Sequence, residues 1–317
     1  MANTLLNLCG QGIPLLVAVV TMPVLVRSLG PGHFGILSLA WVMVSSLSIF
    51  DLGLGRATTK YVSDAMGTGR FDKIRALAWS AVLAQAMLGG VGAACLVGGT
   101  PLLVHHALKI PAALVPEAEA TFRTLAFAVP IVLVSSSVRG LLEAVQRFDL
   151  VNAVRIPYAA SAFLVPLLGV WLGWSLPSIV LGIIACSLGA LVGYSLLAAH
   201  AIPTLRKAPV FEVQSFRHLL SFGSWIMVSN VVGPVLTYFD RFAIGSLISI
   251  SAVGYYSAPY ELVTRLWILP NSLVATLFPT FSALAARGDR PRLAELFPRM
   301  MNYLFLVVGS IVAVLVP

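Results

Sequence analysis

The chain has 317 residues, of which 59% are hydrophobic and only 10% charged, and its mean hydropathy is +0.95. A soluble domain carries about 25% charged residues, so this composition excludes an ordinary soluble protein. The formal net charge of +8 would suit nucleic acid, but the basic residues lie between apolar stretches, where anionic lipid headgroups attract them, so no nucleic-acid partner is expected.

Nine apolar stretches follow one another, and all but the last reach the roughly 20 residues that a membrane-spanning helix needs. In chain order they are 5–26, 34–55, 76–102, 122–142, 151–171, 176–199, 219–247, 253–284 and 302–317. The longest gaps, such as 104–121, are too short to hold a catalytic domain. The pattern predicts an all-α, polytopic membrane protein that is not an enzyme.

Basic residues fall almost entirely into alternate gaps between these stretches. Fifteen of the 20 are assigned to the second, fourth, sixth and eighth gaps: Arg56, Lys60, Arg70, Lys73, Arg75, Arg139, Arg147, Arg155, Arg206, Lys207, Arg217, Arg287, Arg290, Arg292 and Arg299. Because lysine and arginine are retained on the cytoplasmic side of short loops, these gaps are predicted to lie inside, as is the N-terminus. We therefore expect a multi-pass protein of a bacterial inner membrane.

The chain contains an internal repeat with a shift of 219 residues, which aligns Gly35 with Gly254 and Ser38 with Ser257. Since six spans separate equivalent positions, the copies should be parallel, related by an axis along the membrane normal. Parallel halves that enclose a midplane site are a transporter design. The second copy stops within its third span, as expected of a fragment or a truncated product. The predicted domains are a six-helix bundle at 1–200, a cytoplasmic linker at 201–218 and a partial C-terminal bundle at 219–317.

Ionisable residues inside the spans are the candidate site, because charge at membrane depth is costly and normally faces a cavity or a partner. These residues are Arg265, Arg241, Glu261, Asp240 and Asp51. Glu261 and Arg265 are four residues apart, so they share a helix face and can pair. The five residues either line a charged central path or form ion pairs that only hold helices together.

Motifs for enzymatic and metal chemistry are missing from the sequence. It has neither the G-x-x-x-x-G-K-[ST] loop of ATP-driven motors nor an H-E-x-x-H zinc motif. Cys9, Cys95 and Cys186 have no paired spacing for a metal or a disulfide. No cofactor and no metal are expected.

Short motifs occur near the start of both copies of the repeat. The first copy has PVLVRSLG at 23–30 and DLGLG at 51–55, and the second has DRFAIG at 240–245 and AVGYY at 252–256. These motifs resemble those of the lipid-linked oligosaccharide flippases, the O-antigen and polysaccharide exporters of the multidrug/oligosaccharidyl-lipid/polysaccharide (MOP) superfamily.

The resemblance implies two six-helix bundles that flip undecaprenyl-pyrophosphate-linked repeat units to the outer leaflet during synthesis of cell-surface polysaccharides, including the O-antigen of lipopolysaccharide. Cationic residues of a central cavity would meet the pyrophosphate, and Arg241 and Arg265 are the positions carried over. The implied partners are the lipid-linked oligosaccharide and the bilayer. The resemblance also allows a coupling ion, H⁺ or Na⁺, and polysaccharide polymerases.

Three alternatives stay open at this point. A cation-coupled multidrug or metabolite exporter of the same fold would favour acidic residues facing the cavity. A membrane glycan polymerase or ligase would need a large outside loop with catalytic residues, whereas 104–121 is short and poor in acids. A non-transporting scaffold for other biosynthetic proteins is the third.

Overall fold

The computed structural model describes residues 2–46, 51–264, 294, 296–302, 305–306 and 309–310. All regular structure within these ranges is helical, which confirms the predicted all-α class. The main helices are α1 (Ala2–Ser46), α2 (Leu54–Gly67), α3 (Phe71–Leu102), α4 (Val115–Leu125), α5 (Ala128–Ala144), α6 (Phe148–Trp171), α7 (Leu176–Ala201), α8 (Val213–Leu247) and α9 (Ile250–Thr264).

Five stretches of the described chain are long and apolar enough to cross a membrane. They are Leu16–Val44, Lys73–Ala107, Ala112–Ala144, Phe148–Trp171 and Leu176–Ala201. Several of their large apolar side chains are exposed, among them Leu181 and Leu196 of α7. Apolar side chains on the outside of long helices suit a hydrocarbon solvent, as a multi-pass membrane protein requires.

The chain divides into two compact units, Met1–Ala258 and Pro259–Pro317. The first unit contains α1 to α8 and the beginning of α9. Two of the clusters formed by its buried apolar side chains link several helices: one includes residues of α1, α4, α7 and α9, and another includes residues of α2, α3, α5 and α8. The predicted domain boundaries around 201–218 stay a prediction.

Helix α1 breaks at Gly30, where the backbone has φ 72° and ψ 165°. Side chains with a Cβ are essentially excluded from this region of conformational space, so the break requires glycine. The break lies between the first predicted span, 5–26, and the second, which begins at residue 34. A break in the helix at one glycine, and not a loop, therefore lies between the two predicted spans.

Two segments that the sequence predicts as gaps contain helices. The second gap contains most of α2, and the residues that α2 buries include Leu54, Ala57, Val62 and Ala65. The gap at 104–121 contains the start of α4. Each of these two helices has charged residues on the face opposite its buried face. Those residues lower the average hydropathy of the segment, so the buried face was not predicted.

The repeat-related glycines pack against each other in a reciprocal contact. A Cβ on Gly35 would lie 2.1 Å from the carbonyl oxygen of Ile250, and a Cβ on Gly254 would lie 2.2 Å from that of Pro31. Pro31 and Ile250 are equivalent under the same 219-residue shift. A two-fold axis between two segments produces such reciprocal contacts, in which each residue of a pair contacts the equivalent of its own neighbour in the other segment. The predicted repeat is therefore visible in the packing of α1 against α9.

Candidate functional site

A polar cavity of about 430 Å³ lies among α2, α5, α6 and α7 in the first unit. Its polar lining consists of Asp51, Arg56, Ser135, Ser136, Arg139, Glu143, Arg155, Tyr158, Ser187 and Tyr194. Ionisable side chains at membrane depth mark substrate and ion pathways more often than they serve stability alone. We therefore take this cavity as the candidate functional site.

One wall of the cavity is formed where α2 and α5 approach closely. A Cβ on Gly140 would lie 2.7 Å from the carbonyl oxygen of Gly55 and 3.0 Å from Oγ1 of Thr59. Small residues let two helix backbones come together in this way inside a membrane. The approach brings the residues just before α2 next to the polar side chains of α5.

Asp51 lies in the turn before α2 and is only 9% exposed. Its carboxylate accepts hydrogen bonds from the side-chain amide of Gln85, the backbone N–H of Gly55 at 3.3 Å and the hydroxyl of Ser136 at 3.4 Å. These neutral donors stabilise the carboxylate without cancelling its charge. Asp51 thereby joins α2, α3 and α5 at one end of the cavity.

Arginines make the cavity cationic. Nε of Arg139 lies 3.3 Å from Oε1 of Glu143, one turn later on α5. Arg155 of α6 lines the same cavity, and its Nη2 is buried with no hydrogen-bond acceptor among the described residues. With Arg56, three arginines line the cavity together with the two acidic residues Glu143 and Asp51. A guanidinium group suits phosphate, because its planar fork can donate two parallel hydrogen bonds.

Hydroxyl and aromatic groups form the wall contributed by α6 and α7. The hydroxyl of Ser187 donates to the phenolic oxygen of Tyr158 at 3.2 Å. Tyr194 lines the cavity one turn beyond Ala190 and is almost fully buried. A tyrosine presents both an apolar ring face and a polar tip. This wall therefore suits a ligand with many hydroxyl groups, such as a sugar.

The prediction that Arg139 and Arg155 lie in an inside loop is wrong. The turn between α5 and α6 consists of Val145–Arg147 alone, so Arg139 lies within α5 and Arg155 within α6. A polar cavity accommodates a guanidinium inside a helix, and for this reason a basic residue does not by itself mark a loop. Both residues lie within the predicted spans 122–142 and 151–171, which is the signal that could have identified them.

Among the predicted site residues, Asp51 lines this cavity. Arg241 of α8 is 1% exposed, and its guanidinium carbon lies 5.6 Å from the ring centroid of Tyr238. Asp240 accepts hydrogen bonds from the hydroxyl of Tyr256 and from the backbone N–H of Arg241. Asp240 and Arg241 are thus held by contacts outside the polar cavity.

The remaining predicted residues belong to the second unit. Glu261 is half-buried in α9. Arg265 lies outside the described residues, so the pairing of Glu261 with Arg265 stays a prediction. The part of the predicted span 253–284 that follows Thr264 also lies outside the described residues and stays a prediction.

Known proteins with similar sequences belong to polysaccharide biosynthesis and transport. The family model described as polysaccharide biosynthesis protein matches residues 1–285. A "Putative O-antigen transporter" of Shigella flexneri is 27% identical over 281 residues, which cover 88% of this chain and 66% of that protein. The chain therefore spans slightly less than two thirds of the length of this curated relative.

A solved structure has a similar fold. It is described as the inward-facing conformation of a multidrug resistance MATE family transporter of the MOP superfamily, with a TM-score of 0.67 and 16% sequence identity. The match covers 97% of this chain and 70% of that one. Both relatives are transporters and not enzymes, in agreement with the missing enzyme motifs.

Proposed function

Because the chain belongs to the polysaccharide biosynthesis protein family, we propose that it flips lipid-linked oligosaccharide units from the cytoplasmic to the outer leaflet of a bacterial inner membrane. The units are linked to a polyprenyl carrier, undecaprenol, through pyrophosphate. The observation that carries this proposal is the arginine-lined cavity inside a helical membrane protein.

The cavity offers the headgroup polar and charged partners that the hydrocarbon core of the bilayer lacks. A pyrophosphate-linked sugar is large, polar and anionic, and moving it through a bilayer core without polar partners costs many kcal/mol. Arg139 and Arg155 would donate hydrogen bonds to the phosphates, while Tyr158 and Ser187 would face the sugar hydroxyls. The polyprenyl tail would remain in the lipid, so only the headgroup needs a polar path.

The substrate contacts extend, in this proposal, beyond the described cavity. Arg241 and Arg265 supply further positive charge along a central path, and Asp240 and Glu261 balance that charge at neighbouring positions. Asp51 supports the inner wall of the cavity through its hydrogen bonds. A coupling ion, H⁺ or Na⁺, and a polysaccharide polymerase complete the proposed partners.

A flipping assay in proteoliposomes tests the function. A polyprenyl-pyrophosphate-linked oligosaccharide with a fluorescent tag on the sugar is placed in the membrane, and a membrane-impermeant quencher reports which leaflet holds the tag. We expect the protein to make the inner-leaflet tag accessible to the quencher, with no such effect for the same glycan on an uncharged polyprenol. Transport of an organic cation, with no movement of the tagged lipid, would favour the multidrug exporter and contradict the proposal.

The orientation of the chain makes a separate prediction. A reporter active only in the cytoplasm should work when fused after Gly67 or Pro209, and should fail after Gly32 or His106. The reason is that lysine and arginine keep the predicted inside loops in the cytoplasm. Fusions of a periplasm-active reporter at the same four sites provide the control, and activity of that reporter at Gly67 or Pro209 would contradict the orientation. A cytoplasmic fusion after Gly288 should also work, although that site lies outside the described residues.

A further inference from the structure

An apolar groove of about 370 Å³ runs between α3, α5 and α7. Its walls include Trp79 and Val82 of α3, Val138 and Leu141 of α5, and Leu191 and Ser195 of α7. It lies in the first unit and shares α5 and α7 with the polar cavity, yet it shares none of the cavity's lining residues.

Helices α5 and α7 separate the groove from the polar cavity. Along α5, Ser136 and Arg139 line the cavity, whereas Val134 and Val138 line the groove. With about 3.6 residues per turn, the cavity-lining and groove-lining positions of α5 lie on opposite sides of that helix. A ligand whose headgroup occupies the polar cavity would have to pass around this helix pair for its tail to enter the groove.

A cationic side chain lies at one end of the groove. Leu205, in the segment after α7, lines the groove, and Nε of Arg206 donates a hydrogen bond at 3.0 Å to the carbonyl of Ala199, another lining residue. Arg206 is exposed, and it forms no ion pair with any carboxylate in the part of the chain that the structure describes. The segment is a predicted inside loop, so this guanidinium would stand at the headgroup level of the inner leaflet.

One residue in the wall of the groove, Trp79, has a polar group that lacks a partner. Trp79 lines the groove, and its indole N–H is buried with no acceptor among the described residues. Buried indole N–H groups usually find a hydrogen-bond partner. An ester carbonyl of a glycerolipid is such an acceptor, whereas an isoprenoid hydrocarbon chain contains none.

We propose that this groove is a binding site for an anionic glycerophospholipid of the inner leaflet. One acyl chain occupies the apolar groove, and the phosphate binds the free N–H groups of Arg206. The ester region lies toward Trp79. The occupant is a membrane phospholipid and not the tail of the transported lipid, because the tail lacks an ester and the α5–α7 pair separates the groove from the polar cavity.

Photo-crosslinking tests the site. The purified protein is placed in nanodiscs of phosphatidylcholine with a trace of phosphatidylglycerol that has a diazirine in one acyl chain, and the crosslinked peptides are mapped. We expect labelling to concentrate on the α3 and α7 segments that contain Trp79 and Ser195. Arg206→Gln should lower this labelling about fivefold, the effect of one basic residue at an anionic membrane surface. Lys207→Gln is the matched control at the next position and should change it little.

A second pair of variants tests the groove itself. Ser195→Trp fills the groove and should abolish the labelling, whereas Leu196→Trp, at a neighbouring position that is 67% exposed and does not line the groove, should not. Uniform labelling of all lipid-facing segments, or equal loss in both tryptophan variants, would overturn the proposal. So would displacement of the probe by polyprenyl phosphate at concentrations where unlabelled phosphatidylglycerol has no effect. None of these readouts depends on flipping, so failure here is distinguishable from failure of the proposed function.

Discussion

Replacing Arg155 with glutamine should reduce export of the lipid-linked oligosaccharide by roughly tenfold to a hundredfold without lowering the amount of protein in the membrane. A hydrogen bond to a charged group contributes about 1.5–3 kcal/mol, and each 1.4 kcal/mol corresponds to about tenfold. Arg155 lines the polar cavity and has a buried N–H group with no acceptor among the described residues, so its loss leaves no protein group newly unpaired there. Surface polysaccharide per unit of membrane-embedded protein is the measurement.

Two further variants separate charge, shape and location. Arg155→Lys should retain part of the activity, because the charge survives while the planar fork is lost. Arg147→Gln is the matched control, since Arg147 lies in the turn between the same two helices, is exposed and pairs with Asp149 at 2.9 Å. Equal loss in Arg147→Gln and Arg155→Gln would mean that the positive charge of this region matters, and not the cavity.

Arg139 needs a different design because it already has a partner. Arg139→Gln leaves Glu143 without its ion-pair partner, so a loss of export could reflect either substrate binding or protein stability. The double variant with Glu143→Gln removes both charges. Export that returns in the double variant would assign the pair a structural role, whereas export that stays low would assign Arg139 to the substrate.

The helical architecture could be predicted from hydropathy because a membrane imposes a simple rule. Every backbone polar group must be satisfied within the hydrocarbon, and long apolar helices satisfy them locally. The predicted stretch 176–199 therefore corresponds closely to α7 (Leu176–Ala201), and 219–247 ends with α8 at Leu247. The buried face of α2 was not predicted, because the charged residues on its other face lower the average hydropathy of the segment.

The candidate site was harder to predict because it depends on which helices meet. Asp51 was identified as a charge at membrane depth, but its main hydrogen-bond partner, Gln85, is 34 residues away and belongs to α3. Arg139 and Arg155 lie on different helices, and only the packing of the bundle brings both to the same cavity. The alternating charge pattern also assigned Arg139 and Arg155 to a loop, together with true loop residues such as Arg147.

The internal repeat shows what a pattern in one chain can predict about packing. Gly35 and Gly254 were paired by the 219-residue shift, and in the structure they pack against each other's segment. Ser38 and Ser257, paired by the same shift, are both fully buried on the same two helices. The sequence indicated that these positions are equivalent. The two segments also contact each other because a symmetry axis passes between them. Sequence spacing alone does not predict where such an axis lies.

Alanine at Gly35 or at Gly254 should destabilise the protein by about 1–3 kcal/mol, the usual cost of overpacking, and should reduce export. The added Cβ would lie 2.1 Å from a backbone oxygen at Gly35 and 2.2 Å from one at Gly254, and a backbone cannot move aside as a flexible side chain can. The two helices must therefore separate. Thermal unfolding in detergent and export per unit of protein are the measurements. Gly98→Ala and Gly99→Ala in α3 are the matched controls, because nothing lies within 4 Å of either added Cβ.

The double variant Gly35→Ala/Gly254→Ala tests whether the two glycines form one contact. If the first alanine already pushes α1 and α9 apart, the second meets less resistance, so the combined loss of stability should be clearly smaller than the sum of the single losses. Residues that share a contact show such coupling, whereas independent sites add within about 0.3–0.5 kcal/mol. Strict additivity, or single variants as stable as the α3 controls, would contradict a reciprocal contact between the repeats. The two-fold relation inferred from the packing would then have to be abandoned.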